Sequence, residues 1–189
     1  PINIPVMDDE GKIIFHKHRR NPFAPDESSP KYYYDRGFST SLFGWQFVKH
    51  EKTIVIVESE LDTLVLWSDG IPAISATGGA MSFKEEWAGK FFDKEIYICY
   101  DNDLAGSRGA VKTLGYLPNA KVILLPDLFH IKDITDYYKR GYTLKNLMMG
   151  AKSYTDPDQV RLEMGFRRGN EQLITFHQQW LEKNDEKQR

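Results

Sequence analysis

Cysteine is almost missing from this chain: Cys99 stands alone among 189 residues, inside an apolar run. One thiol cannot build an internal disulfide framework. Without a CxxC pair no zinc ribbon forms, so no zinc is expected within this chain. A reduced, cytoplasmic setting fits that scarcity. The five histidines (His16, His18, His50, His130, His177) fall in no HExxH-like ligand pair. His16 and His18 alternate, as residues on one face of a strand do, and a solvated or basic strand face accounts for them. Long apolar runs are also missing. Stretches such as 54–57 and 122–125 are too short to span a bilayer, so no membrane partner is expected. No signal peptide heads the chain. It starts at Pro1 and not at Met, and reads as an excised piece of a longer protein or a processed chain. Charge of one sign is lacking too: 25 Lys+Arg against 27 Asp+Glu leave a formal net charge of −2. That balance is too neutral for a histone-like or polybasic tail protein, and it does not suggest bulk coating of DNA.

What is present is ordinary globular composition, 41% hydrophobic and 28% charged, without internal repeats. Three zones succeed one another. In 1–50, Ile2–Met7 and Lys12–His18 read as strands joined by an Asp8-Asp9-Glu10-Gly11 turn. Asn21–Pro30, with Pro22, Pro25 and Pro30, reads as a loop. In 51–140 apolar strands alternate with helices: Thr53–Val57, then Glu60–Trp67; Pro72–Ala76, then Ser82–Lys90 with Ser82 as N-cap and Glu85 at capping-box spacing; Glu95–Tyr100, then Leu104–Leu114; Lys121–Leu125, then Asp133–Lys139. Such alternation predicts an α/β fold, a parallel sheet of about four strands flanked by helices. A small α+β N-terminal subdomain precedes it. The last zone, 141–189, reads as a helical C-terminal segment: Asp156-Pro157 opens a helix, Leu173, Phe176, Trp180 and Leu181 mark its apolar face, and Glu182–Arg189 frays.

Ligands of a parallel sheet bind beyond the carboxyl ends of its strands. After the first strand come Glu58 and Asp62, on one side of a helix opening near Ser59. A cation or basic partner would relieve their repulsion, although acids at a helix N-terminus need no ligand. After the second come Gly78 and Gly79, which let the backbone pass close to a phosphate or simply make a tight turn. After the third comes Asp101-Asn102-Asp103, two carboxylates aimed across a turn. A hard oxygen site of this kind suits Mg²⁺ or Mn²⁺, with Arg108 near the helix start as a phosphate contact; an N-cap plus a surface acid is the alternative. No glutamate sits where an EF-hand would need one. After the fourth come Asp127, then Lys132, Asp133 and Asp136. Lys132 could hold a phosphate or balance the acids, and Asp136 is a ligand or a first-turn helix acid. Acids gathered on one edge beside a Gly-Gly turn match metal-dependent phosphoryl or nucleotidyl transfer, with two metals bridging phosphate oxygens.

These residues, in this order, resemble the Toprim domain shared by bacterial-type primases, topoisomerases and some nucleases. VESELDTL looks like the primase form VEGxxDxL, and YDNDLAGSRGA like DxDxAGxxA. Upstream, Ile4-Pro5-Val6 with Asp9 and Gly11 looks like the primase start, Pro30-Lys31-Tyr32 like "PKY", and Leu42-Phe43-Gly44 like the "LFG" before the catalytic strand. That preamble is most like the phage primase–helicase and Twinkle branch. The resemblance covers roughly 1–140 and implies a primase core in a bacterial or phage-infected cell. It implies Asp101, Asp103 and Asp133 as metal ligands, and Glu58 as ligand or proton acceptor at the 3′-hydroxyl. Asp62 and Asp136 are the supporting acids. It further implies Lys17, Arg19 and Lys31 as nucleic-acid-binding residues, with solvated charges as the plain alternative. Implied partners are single-stranded DNA, ribonucleoside triphosphates, and a zinc-binding domain and replicative helicase on this or another chain.

Departures are specific. Ser59 replaces the usual glycine. Phe38 and Thr40 stand where bacterial primases place a basic residue. No Walker motif is present. The runner-up readings are a Toprim-type nuclease, in which water replaces the hydroxyl, and a non-catalytic nucleic-acid-binding module of a phage or mobile-element replication protein. Six acids of the proposed site account for the negative balance; outside it, bases outnumber acids.

Overall fold

The computed structural model describes residues 1–21, 23, 30–37, 39–126, 131–154, 159–160 and 163. Most of the proline-rich loop, Phe38, Asp127, His130 and His177 lie outside the described residues, as do the helix start at Asp156-Pro157, the face from Leu173 to Leu181 and the charged end.

A hairpin opens the chain: β1 (Ile2–Met7) pairs antiparallel with β2 (Ile13–Arg19), and β3 (Tyr32–Tyr34) adds to β2. Asp8 closes the predicted turn, its Oδ1 accepting from the Glu10 and Lys12 amides at 3.1 and 2.8 Å. Aspartate favours turns for this reason: its side chain satisfies backbone donors two or more residues on. Alternation along the strands buries Ile4, Val6 and Phe15, which pack on Phe43 and Trp67 and so seat the small sheet on the rest of the fold.

The second sheet runs in the order β4-β6-β5-β7-β8-β9, built from β4 (Leu42–Phe43), β5 (Thr53–Val57), β6 (Ala73–Ala76), β7 (Glu95–Cys99), β8 (Lys121–Val122) and β9 (Lys152–Ser153). The inner four strands are parallel, as the β/α alternation predicts. The outer two are antiparallel and escape the sequence reading, because two residues carry no periodicity. They bring residues from the first and last zones into the central sheet. Five α-helices accompany the sheet among the fully described elements: α1 (Trp45–Val48), α2 (Glu60–Ser68), α3 (Leu104–Tyr116), α4 (Ile134–Lys139) and α5 (Leu144–Met149).

The continuous run in β5 is buried on both faces. Ile54 and Ile56 join Ile74, Ile98, Phe83 and Leu114 on one side; Val55 and Val57 join Leu66, Tyr97 and Ile134 on the other. Each such side chain contributes about 1.5–3 kcal/mol by leaving water.

The predicted helix over Ser82–Lys90 is replaced by two 3-10 segments, Ala80–Ser82 and Glu85–Phe91. Ser82 does not cap the second one. Its hydroxyl donates backwards to the Gly79 carbonyl at 2.6 Å, and Phe83 takes an extended backbone that drives its ring fully into the core against Trp87.

Candidate functional site

Parallel register brings the strand ends together. Val57 stands opposite Ser75 and Cys99, and Ile98 opposite Val122, so the loops leaving these strands emerge on one edge. The loops after β7 and β8 are also tied directly: the Asn102 amide donates to the Lys132 carbonyl at 2.7 Å.

Asp101 stands just before Asn102, two residues beyond the end of β7. Helix α3 packs so closely on it that a Cβ at Gly106 would overlap the Asp101 carbonyl. Burial, then the charges of Glu58, Asp62 and Asp133, push the Asp101 carboxyl up to about 8, with Lys132 opposing them. Glu58 is raised by burial and by Asp103, against the Asp101 amide and Lys132. Its Oε2 is buried and has no hydrogen-bond partner among the described residues. Asp133 is raised by burial too. Lys132 Nζ reaches over the group, 3.7 Å from Asp101 Oδ2 and 3.8 Å from Asp103 Oδ2. Burial alone would lower the Lys132 ammonium; Asp101, Asp103, Asp133 and Glu58 together outweigh it and raise it.

The other acids have local duties as well. Asp103 caps α3, its Oδ1 accepting from the Ala105 and Gly106 amides at 2.9 Å. Asp133 caps α4, accepting from the Asp136 amide at 2.7 Å. Asp62 is a brace. Ser59 donates to its Oδ2 at 2.5 Å, and the Thr135 hydroxyl and amide donate to its Oδ1 at 2.7 and 3.2 Å. Asp136 pairs with Lys139 at 3.2 Å along its own helix.

Glu58, Asp101, Asp103, Asp133 and Lys132 therefore converge. At the second strand end Gly79 has φ 87°, which suits glycine, and a Cβ on Gly78 would sit 2.8 Å from Ser82 Cβ. Arg108 is exposed on α3. Lys31 and Arg19 both lie over the Tyr32 ring, at 5.6 and 5.9 Å from its centroid.

Lys17 departs from its expected place at a nucleic-acid surface. It is buried, with its ammonium on Glu60 and the Thr77 carbonyl. Strand alternation explains this: Lys17 shares the inner face with Phe15, while His16 and His18 take the other. Ser59, Glu60, Thr77 and Thr135 escaped the sequence reading as site-supporting residues. Only the Ser59 cap left a local signal; the others act across long separations.

The donor set fits a hard divalent cation. Every candidate ligand is a carboxylate oxygen, one buried oxygen lacks a partner, and the mutual repulsion at Asp101 calls for positive charge. Among the described residues, no three His, Cys, Asp or Glu side chains stand close enough together to hold a metal ion as they are placed here. The caps on Asp103 and Asp133 turn one oxygen of each towards its own helix.

Residues 55–138 match the Toprim-like family. The DNA primase of Thermotoga maritima is 25% identical over 199 residues, which takes in 96% of this chain and 34% of the relative. The DNA primase of Aquifex aeolicus is 32% identical over 133 residues, taking in 65% of this chain and 26% of the relative. This chain thus spans about a third of one relative's length and a quarter of the other's. A crystal structure of the zinc-binding and RNA polymerase domains of the Aquifex aeolicus primase superposes with a TM-score of 0.64 at 28% identity, covering 79% of this chain and 40% of that one. On the parallel sheet and these likenesses, residues 55–138 form a Toprim-like domain, and the chain is similar to DNA primases.

Proposed function

We propose that this chain is the catalytic core of a DNA primase, making RNA primers on single-stranded DNA. The observation that carries the reading is Glu58: a half-buried carboxylate whose buried Oε2 is unpartnered among the described residues, beside Asp101, Asp103 and Asp133 on a primase-type scaffold. In the reaction a primer 3′-hydroxyl attacks the α-phosphorus of a ribonucleoside triphosphate. A new P–O bond forms, the α–β bond breaks, and pyrophosphate leaves.

Asp101, Asp103 and Asp133 would hold two Mg²⁺ or Mn²⁺ ions, with Glu58 as a further ligand or as the proton acceptor. When bound, the ions lower the cost of charge on the hydroxyl and the leaving group. As the acceptor, Glu58 takes the proton that the 3′-hydroxyl loses in its attack. Lys132, already turned towards Asp101 and Asp103, neutralises phosphate charge, and exposed Arg108 gives a second such contact. The Gly78–Gly79 turn lets backbone approach the triphosphate. Arg19 and Lys31 hold the template backbone beside Tyr32. Template selection falls to a zinc-binding domain, and placement at the fork to a helicase. These partners lie on this or another chain, inside a bacterial or phage-infected cell.

The deciding experiment incubates the full-length parent with single-stranded DNA, labelled ribonucleotides and Mn²⁺. Short oligoribonucleotides mark a primase. Shortening of labelled DNA without them gives the site to a nuclease, and neither product gives it to a binding module.

A further inference from the structure

One buried ammonium joins three distant parts of the chain. Lys17 Nζ lies 2.9 and 2.7 Å from Glu60 Oε1 and Oε2, and 2.9 Å from the Thr77 carbonyl. An ammonium has three donors, and these contacts account for all of them. Both side chains are buried, Lys17 at 7% exposure and Glu60 at 2%. The Tyr32 and Tyr34 rings lie 4.8 and 5.6 Å from the same ammonium.

Thr77 is held at each of its polar atoms. The Tyr34 hydroxyl donates to its carbonyl at 2.9 Å, beside Lys17. Its amide donates to the Ser41 carbonyl at 3.0 Å, and its hydroxyl accepts from the Ser41 amide at 3.1 Å. All these partners come from residues 17–41, upstream of the parallel sheet. Thr77 immediately precedes Gly78–Gly79. Glu60 is the first residue of α2, two positions after Glu58.

Such a pair is a poor source of net stability. Taking two charges out of water offsets most of their attraction, and apolar residues of similar volume serve as well or better. What the pair supplies is a unique arrangement: three directed bonds fix a distance that an apolar contact would let slide.

We infer that Lys17 and Glu60 are positioning residues, a joint through which the N-terminal sheet sets the place of the Gly78–Gly79 turn relative to Glu58. The consequence for turnover rests on the proposed function; the joint itself does not.

Lys17→Met and Lys17→Met/Glu60→Met variants of the whole chain test this. Thermal unfolding is read together with amide hydrogen exchange across 57–63 and 77–83. Lys17→Met leaves Glu60 buried and unpaired, so its melting temperature falls. The double variant regains it. Yet in the double variant, exchange at Thr77–Gly79 stays at least tenfold faster than in the parent. If the parent makes primers, the turnover of the double variant stays at least tenfold down although its stability has returned. Exchange that recovers together with stability makes the pair mere packing and overturns the inference. So does a Lys17→Met protein with parental exchange at the turn and a salt-dependent loss of single-strand binding. A parent that makes no primers sinks the functional reading alone, since the exchange result still decides the joint.

Discussion

Thr135 holds Asp62 across the seam between α4 and α2, which pack on the same face of the sheet. Its hydroxyl and its amide both donate to Asp62 Oδ1, at 2.7 and 3.2 Å, while Ser59 occupies Oδ2. The contact fastens α4, which comes after Asp133, to α2, which comes after Glu58. Asp62 is 5% exposed, so a lost donor is not replaced by water. Thr135→Val removes the hydroxyl and keeps the shape. It should lower stability by about 1–3 kcal/mol, the cost of an under-satisfied buried polar group. Chemical denaturation measures this, and parental stability in the variant would mean that the bond braces nothing.

Asp103 has two duties that substitution can separate. Asparagine retains an oxygen for the Ala105 and Gly106 amides but not the charge. Asp103→Asn should therefore melt within a few degrees of the parent. It should lose primer synthesis and the rise in melting temperature that Mn²⁺ gives the parent by binding the folded state. A variant still stabilised by Mn²⁺ to the parental extent would exclude Asp103 from the ligand set.

Much of the fold and site was legible in the sequence, and the misses have a physical pattern. The TIVIV run and the acid after each of three strands are local signals, because a buried parallel strand must be apolar throughout and must end before the first charge. The Asp-x-Asp turn is local too. The Thr135 brace and the Lys17 joint join residues far apart in sequence, and the residue types around Lys17 do not separate a buried ammonium from a solvated one. Alternation with Phe15 was the available hint. The 3-10 path over 80–91 was hidden because Phe83, Trp87 and Phe91 have helical spacing while Phe83 itself is extended.

Asp35 links both strand histidines on the outer side of the small sheet. His18 Nε2 lies 2.8 Å from Oδ1, and the His16 amide donates to Oδ2 at 2.8 Å. The bond to His18, then the His16 amide, hold the Asp35 carboxyl down at about 2. A carboxylate depressed in the folded state stabilises it fully above its unfolded pKa, near 3.8, and loses that contribution as pH falls towards about 2. The difference in melting temperature between the parent and Asp35→Asn should be fully present near pH 5 and shrink between pH 4 and 2. A difference that persists unchanged at pH 2 would place the effect elsewhere.

Lys31 is exposed over Tyr32, unlike Lys17. A lysine on a phosphate acts through counterion release, so its removal shows in the salt slope. Lys31→Ala should weaken single-stranded DNA binding uniformly across sequences and reduce the slope of log K against log salt by about 0.7. Fluorescence anisotropy across a salt series gives the value, and a loss independent of salt would make Lys31 structural.

Two glycines of α3 should respond to alanine with opposite sign. At Gly106 a Cβ would run into the Asp101 carbonyl and approach the Asp101 amide at 2.9 Å. Backbone of a central strand end cannot step aside cheaply, so Gly106→Ala must displace either the helix or the Asp-x-Asp turn. Overpacking of this kind costs about 1–3 kcal/mol or more. At Gly115, in the last turn of the same helix, a Cβ meets nothing within 4 Å and the site is exposed. There the change removes only unfolded-state freedom and should stabilise by about 0.5–1 kcal/mol. Denaturation midpoints give both signs. The Gly106 variant should also bind Mn²⁺ at least tenfold more weakly, since Asp101 and Asp103 move with the turn, while the Gly115 variant keeps parental affinity. Equal effects at the two positions would mean that helix propensity, and not the close packing of α3 on Asp101, governs this helix.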